Sequence, residues 1–279
     1  MKITIAKSAG FCFGVKRAVK IAIDAAQKGR TVEMLGDIVH NEDVVKQIKK
    51  SGMKKITRLT RGENKDILIR AHGTSAEIVE KARSLGYEII DATCPMVKEI
   101  HNIVKDMEDK NFKIIVIGDK NHDEVKGIVG QLKEKATVID NVKNIPKKVK
   151  KFKKACVVVQ STQTEENVFK ITAILKEHIK DLKFFNTICR PTRYKQQEIK
   201  TMPLENDVML IIGSKKSANT RRLYEISKTL NTRSYWVQSK KDIKKSWFDD
   251  ARNIGITAGS STPDTTTRDI VNYLTLILR

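Results

Sequence analysis

Three cysteines of this chain sit in one repeating frame. Cys12, Cys94 and Cys189 are each followed, 24 residues on, by a glycine: Gly36, Gly118 and Gly213. Four residues past each glycine stands a polar side chain, His40, His122 or Ser217. Each cysteine follows a run expected to form a strand (residues 2–6, 87–91 and 182–186), and each glycine closes a second strand. A third strand in each copy ends in a small polar cluster: His72-Gly73-Thr74, Thr162-Gln163-Thr164 and Ser260-Ser261-Thr262. Short apolar, β-branched runs (3–6, 67–69, 114–117, 157–159, 208–212) alternate with helix-period stretches. That alternation indicates an α/β fold, because parallel strands need a crossover helix between them. The expected architecture is three similar α/β units with mostly parallel sheets around a pseudo-threefold axis. The cysteines divide it into residues 1–94 plus 262–279, 95–186 and 187–261. Ligands of open parallel sheets bind beyond the carboxyl ends of the strands. Every loop named here lies at such an end, so a central active site is expected.

Three thiols without a fourth narrow the chemistry. Disulfides use pairs. A structural zinc site uses four ligands and usually a close C-x2-C pair, which this sequence lacks. An iron–sulfur cubane accepts thiolates from distant segments, and three protein ligands leave one iron open to polarise a substrate oxygen. The alternative is three ordinary buried cysteines, a common fate for this residue; the shared frame weighs against it. Gly10 and Gly14 flank Cys12 and let the backbone approach a bulky group. Pro95 suits the first turn of a helix, and another helix is expected near Pro191. Each thiol then lies at a helix N-terminus, where the dipole favours thiolate. Cys156 opens the apolar run 156–159, has no counterpart in the repeat, and reads as core.

The loops carrying His40, His72, His122, Thr164, Ser217, Asn219 and Ser261 all precede expected helices. Each hydroxyl or amide alone is an ordinary cap. Together they form a cradle for phosphate or diphosphate. No Walker A sequence or strand-borne G-x-G-x-x-G is present, which argues against a nucleotide loop. His122 and Glu124, two residues apart at a loop–helix junction, suit a proton relay if both face the ligand. The chain carries 54 basic and 33 acidic residues, a net charge of +21. Such a balance fits a nucleic-acid binder or a protein meeting an acidic partner. The lysines are spread along the chain and aromatics make up only 5%, so no nucleic-acid partner is expected from charge alone. A metal-free phosphosugar-binding protein would explain the histidines and serines but not the cysteine spacing. No apolar run approaches 18 residues and the first ten lack a signal-like core, so neither membrane insertion nor export is expected; the expected location is cytoplasmic.

Nine stretches then carry a resemblance. They are GFCFGVKRA (10–18), VHNEDVV (39–45), AHGTS (71–75), DATCP (91–95), HDEVKG (122–127), TQT (162–164), TIC (187–189), GSKKSAN (213–219) and TAGSSTPD (257–264). In this order and over nearly the whole chain, the sequence resembles the LytB family of 4-hydroxy-3-methylbut-2-enyl diphosphate reductases of non-mevalonate isoprenoid synthesis. The resemblance implies one [4Fe–4S] cluster on Cys12, Cys94 and Cys189, and reduced ferredoxin or flavodoxin as electron donor. It implies that His40, His72, Ser217, Asn219 and Ser261 hold the diphosphate of an allylic substrate, with His122 also at the substrate. It implies that Glu124 and Thr164 belong to the proton relay near the hydroxyl, so that Glu124, Thr164 and His122 form the catalytic set. The sequence departs from the family's habit at Asp123 (usually proline), Ala218 (often serine), Pro191 and Lys195 (an alanine and arginine pattern).

Overall fold

The computed structural model describes residues 1–278. Its strands are β1 (Lys2–Ile5), β2 (Thr31–Leu35), β3 (Lys54–Ile56), β4 (Lys65–Ile69), β5 (Glu88–Asp91), β6 (Lys113–Ile117), β7 (Thr137–Ile139), β8 (Lys154–Val159), β9 (Asp181–Phe184), β10 (Val208–Ile212), β11 (Ser234–Val237) and β12 (Asn253–Ala258). Its α-helices are α1 (Phe13–Ala26), α2 (Glu42–Lys50), α3 (Ala76–Ser84), α4 (Pro95–Asp109), α5 (Asp123–Val129), α6 (Glu165–His178), α7 (Arg190–Glu205), α8 (Ala218–Leu230) and α9 (Asp264–Ile277). Among the described residues the strands form three four-stranded sheets, ordered β3-β2-β4-β5, β7-β6-β8-β9 and β11-β10-β12-β1. Every pairing is parallel. The three orders are one pattern. A strand ending before a glycine has its successor outside it, the next strand crosses back to its other side, and an edge strand leads to a cysteine.

Parallel strands are covered by helices on both faces, which is why β6, β8 and β10 are almost continuous β-branched or aliphatic runs rather than alternating ones. Ile115, Ile117, Val157 and Val159 are wholly buried with Val168, Ile171 and Leu175 of α6. Val116, Val158 and Cys156 are buried on the other face against Ile100 and Val104 of α4. Each such side chain contributes roughly 1.5–3 kcal/mol.

The sheets depart from the expected division at one point. Residues 1–94 and 262–279 were expected to share a unit. Instead β1 pairs with β12, from Lys2 opposite Asn253 to Ile5 opposite Ile256. Ile270 and Leu274 of α9 share a core with Val208, Leu210 and Ile254. β1 and α9 therefore belong with β10–β12, while β2 to β5 form a sheet of their own. The cause is the crossover rule. In the other copies α3 and α6 carry the chain from the third strand to the edge strand, whereas the edge beside β12 is supplied by the N-terminal segment. Contacts group the chain into two compact units, residues 1–16, 39–45 and 190–279, and residues 17–38 and 46–189. The first holds the β11-β10-β12-β1 sheet and the second holds the other two.

Candidate active site

The repeat is reproduced bond by bond in the backbone. Gly36, Gly118 and Gly213 donate their N–H groups to Ile56, Ile139 and Val237, at 3.2, 2.9 and 2.9 Å. The N–H of Cys12 donates to Ser260, that of Cys94 to Ala71 and that of Cys189 to Ser161, at 3.1, 3.0 and 3.0 Å. These bonds fix which loop residues correspond. Ala71, Ser161 and Ser260 are equivalent, so His72 matches Thr162 and Ser261. The third polar cluster thus starts at Ser261, one residue later than the alignment on Ser260 implies. A second set of bonds agrees: Gly73 to Arg70, Gln163 to Gln160 and Thr262 to Gly259.

Each of the three cysteines immediately precedes a helix, α1, α4 or α7, with Cys94 the N-cap residue before Pro95. All three are partly exposed thiols outside any disulfide. Cys156 is different: it is wholly buried in β8, and burial, with the Asp106 carboxylate adding to it, pushes its thiol up to about 12. The donor set therefore separates into three accessible thiols at positive helix ends and one inert thiol in the core, which fits a group taking three thiolates.

In the first unit Cys12, His40, Ser217 and Ser261 lie on loops joined by direct bonds, with Asn219 in the first turn of α8. Ser261 donates its hydroxyl to the His40 carbonyl at 3.1 Å. Glu42, in the first turn of α2, pairs with Lys216 at 3.3 Å. Burial pushes the Glu42 carboxyl up, yet hydrogen bonds from Ser214, its own backbone and Lys216 bring it below its ordinary range. Ser217 caps α8, its hydroxyl accepting from the Thr220 N–H at 3.3 Å. Asn219 is 5% exposed, and its side-chain Nδ2 has no hydrogen-bond partner. A buried amide donor left unmatched costs about 1–3 kcal/mol.

In the second unit the rings of His72 and His122 meet edge to face at 5.6 Å. His122 caps α5, its Nδ1 accepting from the Glu124 N–H at 3.2 Å. That bond leaves Nε2 to carry the proton of the neutral ring. Glu124 is 1% exposed. Its Oε1 accepts from the Ser161 N–H at 2.6 Å and its Oε2 from the Ser161 hydroxyl at 2.7 Å. The Ser161 carbonyl is the acceptor for Cys189, so one residue joins the acid to a cysteine loop. Thr164 is the residue before α6, and its hydroxyl makes no cap bond. Asp123 pairs with Arg70 at 2.7 Å, tying the loop before His72 to the loop of His122.

Ser161, Arg70 and Glu42 were not expected at the site. Ser161 had a signal in the sequence, its match to Ser260 once the third cluster is shifted by one. Arg70 and Glu42 had none, because their partners are remote in sequence. Cys12 belongs to the first unit, Cys94 and Cys189 to the second. Among the described residues no group of three His, Cys, Asp or Glu side chains is gathered closely enough to hold a metal ion. No helix among them is long and apolar enough to cross a membrane.

The model of the family described as LytB protein matches residues 3–275. The chain belongs to the LytB family. Curated LytB relatives carry the name 4-hydroxy-3-methylbut-2-enyl diphosphate reductase. One from Aquifex aeolicus (strain VF5) is 39% identical, covering 94% of this chain and 92% of its own length. Another from Trichlorobacter lovleyi is 37% identical and covers 98% of each. A solved structure described as (E)-4-hydroxy-3-methyl-but-2-enyl diphosphate reductase, the terminal enzyme of the non-mevalonate pathway, is 37% identical with a TM-score of 0.74. It covers 99% of this chain and all of its own. The solved reductase from Plasmodium falciparum is 28% identical with a TM-score of 0.89, covering 98% of this chain and 88% of its own. The three similar α/β units are therefore the LytB fold.

Proposed function

We propose that this LytB chain reductively removes the hydroxyl of 4-hydroxy-3-methylbut-2-enyl diphosphate, giving isopentenyl and dimethylallyl diphosphates, the last step of the non-mevalonate isoprenoid pathway. Two electrons and two protons enter. One proton leaves with the hydroxyl as water and the other ends on carbon. The observation that carries the reading is the threefold backbone frame: three accessible thiols, each on an equivalent carbonyl and before a helix, in a chain matching LytB over residues 3–275.

Cys12, Cys94 and Cys189 would hold one [4Fe–4S] cluster. When bound, it would supply the electrons and a Lewis-acidic iron for the leaving oxygen. The rest falls to the protein. The orphaned Asn219 amide, the Ser217 and Ser261 hydroxyls and the N-terminus of α8 offer neutral donors and a positive helix end to the diphosphate. His40 and His72 add imidazoles to that cradle. His122, whose Nδ1 is occupied by the Glu124 N–H, presents its Nε2–H to substrate. Glu124, with its carboxyl group held on Ser161, donates the proton from its acid form, and the uncommitted Thr164 hydroxyl relays from it. The electron donor is reduced ferredoxin or flavodoxin, and the location is the cytoplasm, where thiols stay reduced. Anaerobic reconstitution followed by iron counting tests the reading. The expected product is brown protein with about four irons that turns over substrate with a reduced carrier. Colourless protein after reconstitution with iron and sulfide overturns it.

A further inference from the structure

Lys195 is among the largest wholly buried side chains of the structure, at 2% exposure. It lies on α7, six residues past Cys189. Its ammonium donates to three backbone carbonyls: Ser8, Gly10 at 3.0 Å and Ala258 at 2.9 Å. An ammonium has three donors spread about a point, which matches three converging carbonyls better than a planar guanidinium does. Glu198 stands nearly one turn further along α7 and binds the same loop with the opposite chemistry. Its carboxylate accepts from the N–H groups of Lys7 at 2.8 Å and Ser8 at 3.0 Å, and from the Ser8 hydroxyl. Two N–H groups of the loop from Lys7 to Gly10 are thus taken by an anion and two of its carbonyls by a cation. Gly10 adopts φ +91°, and a Cβ there would run into the Asp264 carboxylate, so the loop has little room to shift.

The grip falls on the two backbone segments that set Cys12. One is the loop ending two residues before it. The other is the end of β12, since Ala258 lies two residues before Ser260, the acceptor of the Cys12 N–H. We propose that Lys195 and Glu198 are positioning residues that hold the Cys12 loop in ligand-ready form before any cluster arrives. The inference rests on Cys12 being a cluster ligand. It assigns α7 a task in loading the metal rather than in turnover.

The test uses the reduced, cluster-free full chain and then the loaded enzyme. In Lys195→Met and Glu198→Ala, iodoacetamide should alkylate Cys12 at least about tenfold faster, the factor that ~1.4 kcal/mol from a lost charge-assisted bond supplies. Cys94 and Cys189 should stay within about twofold, and Lys195→Arg, which keeps the charge but not the three-point fit, should fall between the parent and Lys195→Met. Hydrogen exchange at the Lys7 and Ser8 amides should rise with the Cys12 rate. Reconstitution should slow by a similar factor, while turnover per bound cluster is retained. A rise shared by all three cysteines means general loosening and overturns the proposal, as does no change at Cys12. If Lys195→Met does not fold, the half-buried Glu198 variant decides. If the parent chain takes up no cluster, the functional reading fails, while the alkylation pattern still judges the clamp.

Discussion

His101 sits on the inner face of α4, at 8% exposure, with its Nε2 lacking a hydrogen-bond partner. A Cβ placed on Gly73 would lie 2.7 Å from its Cε1, so the ring packs directly against the loop that carries His72. Burial first, then the Lys105 and Lys98 charges, outweigh the Asp91 carboxylate and hold the imidazole down to about 4. In the unfolded chain the same group titrates near 6.5. The folded value lies below the unfolded one, so the unfolded chain takes up the proton first as the pH falls. Stability is therefore full above about pH 6.5 and declines toward pH 4, by about 3 kcal/mol in all, of which about 2 are lost by pH 5. The assay is urea unfolding of the cluster-free chain by far-UV circular dichroism at pH 7.5 and 5.0, for the parent and His101→Gln. The variant is less stable at pH 7.5 but lacks the titrating group. The parent should lose about 2 kcal/mol more than the variant across the interval. Parallel losses would refute the reasoning, because they would mean that the ring is protonated in the folded state or is not buried there.

Glu124→Gln keeps an oxygen for the Ser161 N–H, and the Ser161 hydroxyl can turn to accept from the new amide, so the loop and iron content should be retained. Turnover should fall roughly 10²–10⁴-fold for loss of a general acid, and near-parental turnover in single-substrate assays would remove Glu124 from the relay. Gly213 has φ +149°, and a Cβ there would lie 2.7 Å from the hydroxyl oxygens of both Thr220 and Thr262. Gly213→Ala should cost about 1–3 kcal/mol in thermal unfolding. It should also raise KM more than it lowers kcat, because it displaces the Ser217 loop; an unchanged KM counts against the diphosphate cradle.

The local features of the fold were legible because they are written in short stretches. The strand before each cysteine, the glycine 24 residues on and the helix after Pro95 all follow from period and turn chemistry. What could not be read was pairing between remote segments. β1 resembles the edge strands before Cys94 and Cys189, yet nothing in residues 2–6 says that its partner lies at 253–256. The same limit hid the Arg70–Asp123 pair, which gives the unusual Asp123 a structural partner instead of a free charge beside the relay. Lys195 was visible only as a departure from the family's arginine; its three carbonyl partners come from loops near residues 10 and 258. Cys156 was legible as core because a strand buried on both faces leaves no polar signature to mistake.

The pairing of β1 with β12 has a consequence for the order of events during synthesis. β1 leaves the ribosome ahead of its hydrogen-bonding neighbour, which is some 250 residues behind it. At ~5–20 residues per second, that is roughly 12–50 seconds of waiting for a nascent chain. Throughout that interval the segment bearing Cys12 has no sheet to lean on, so the geometry of its loop is set only once β12 is made.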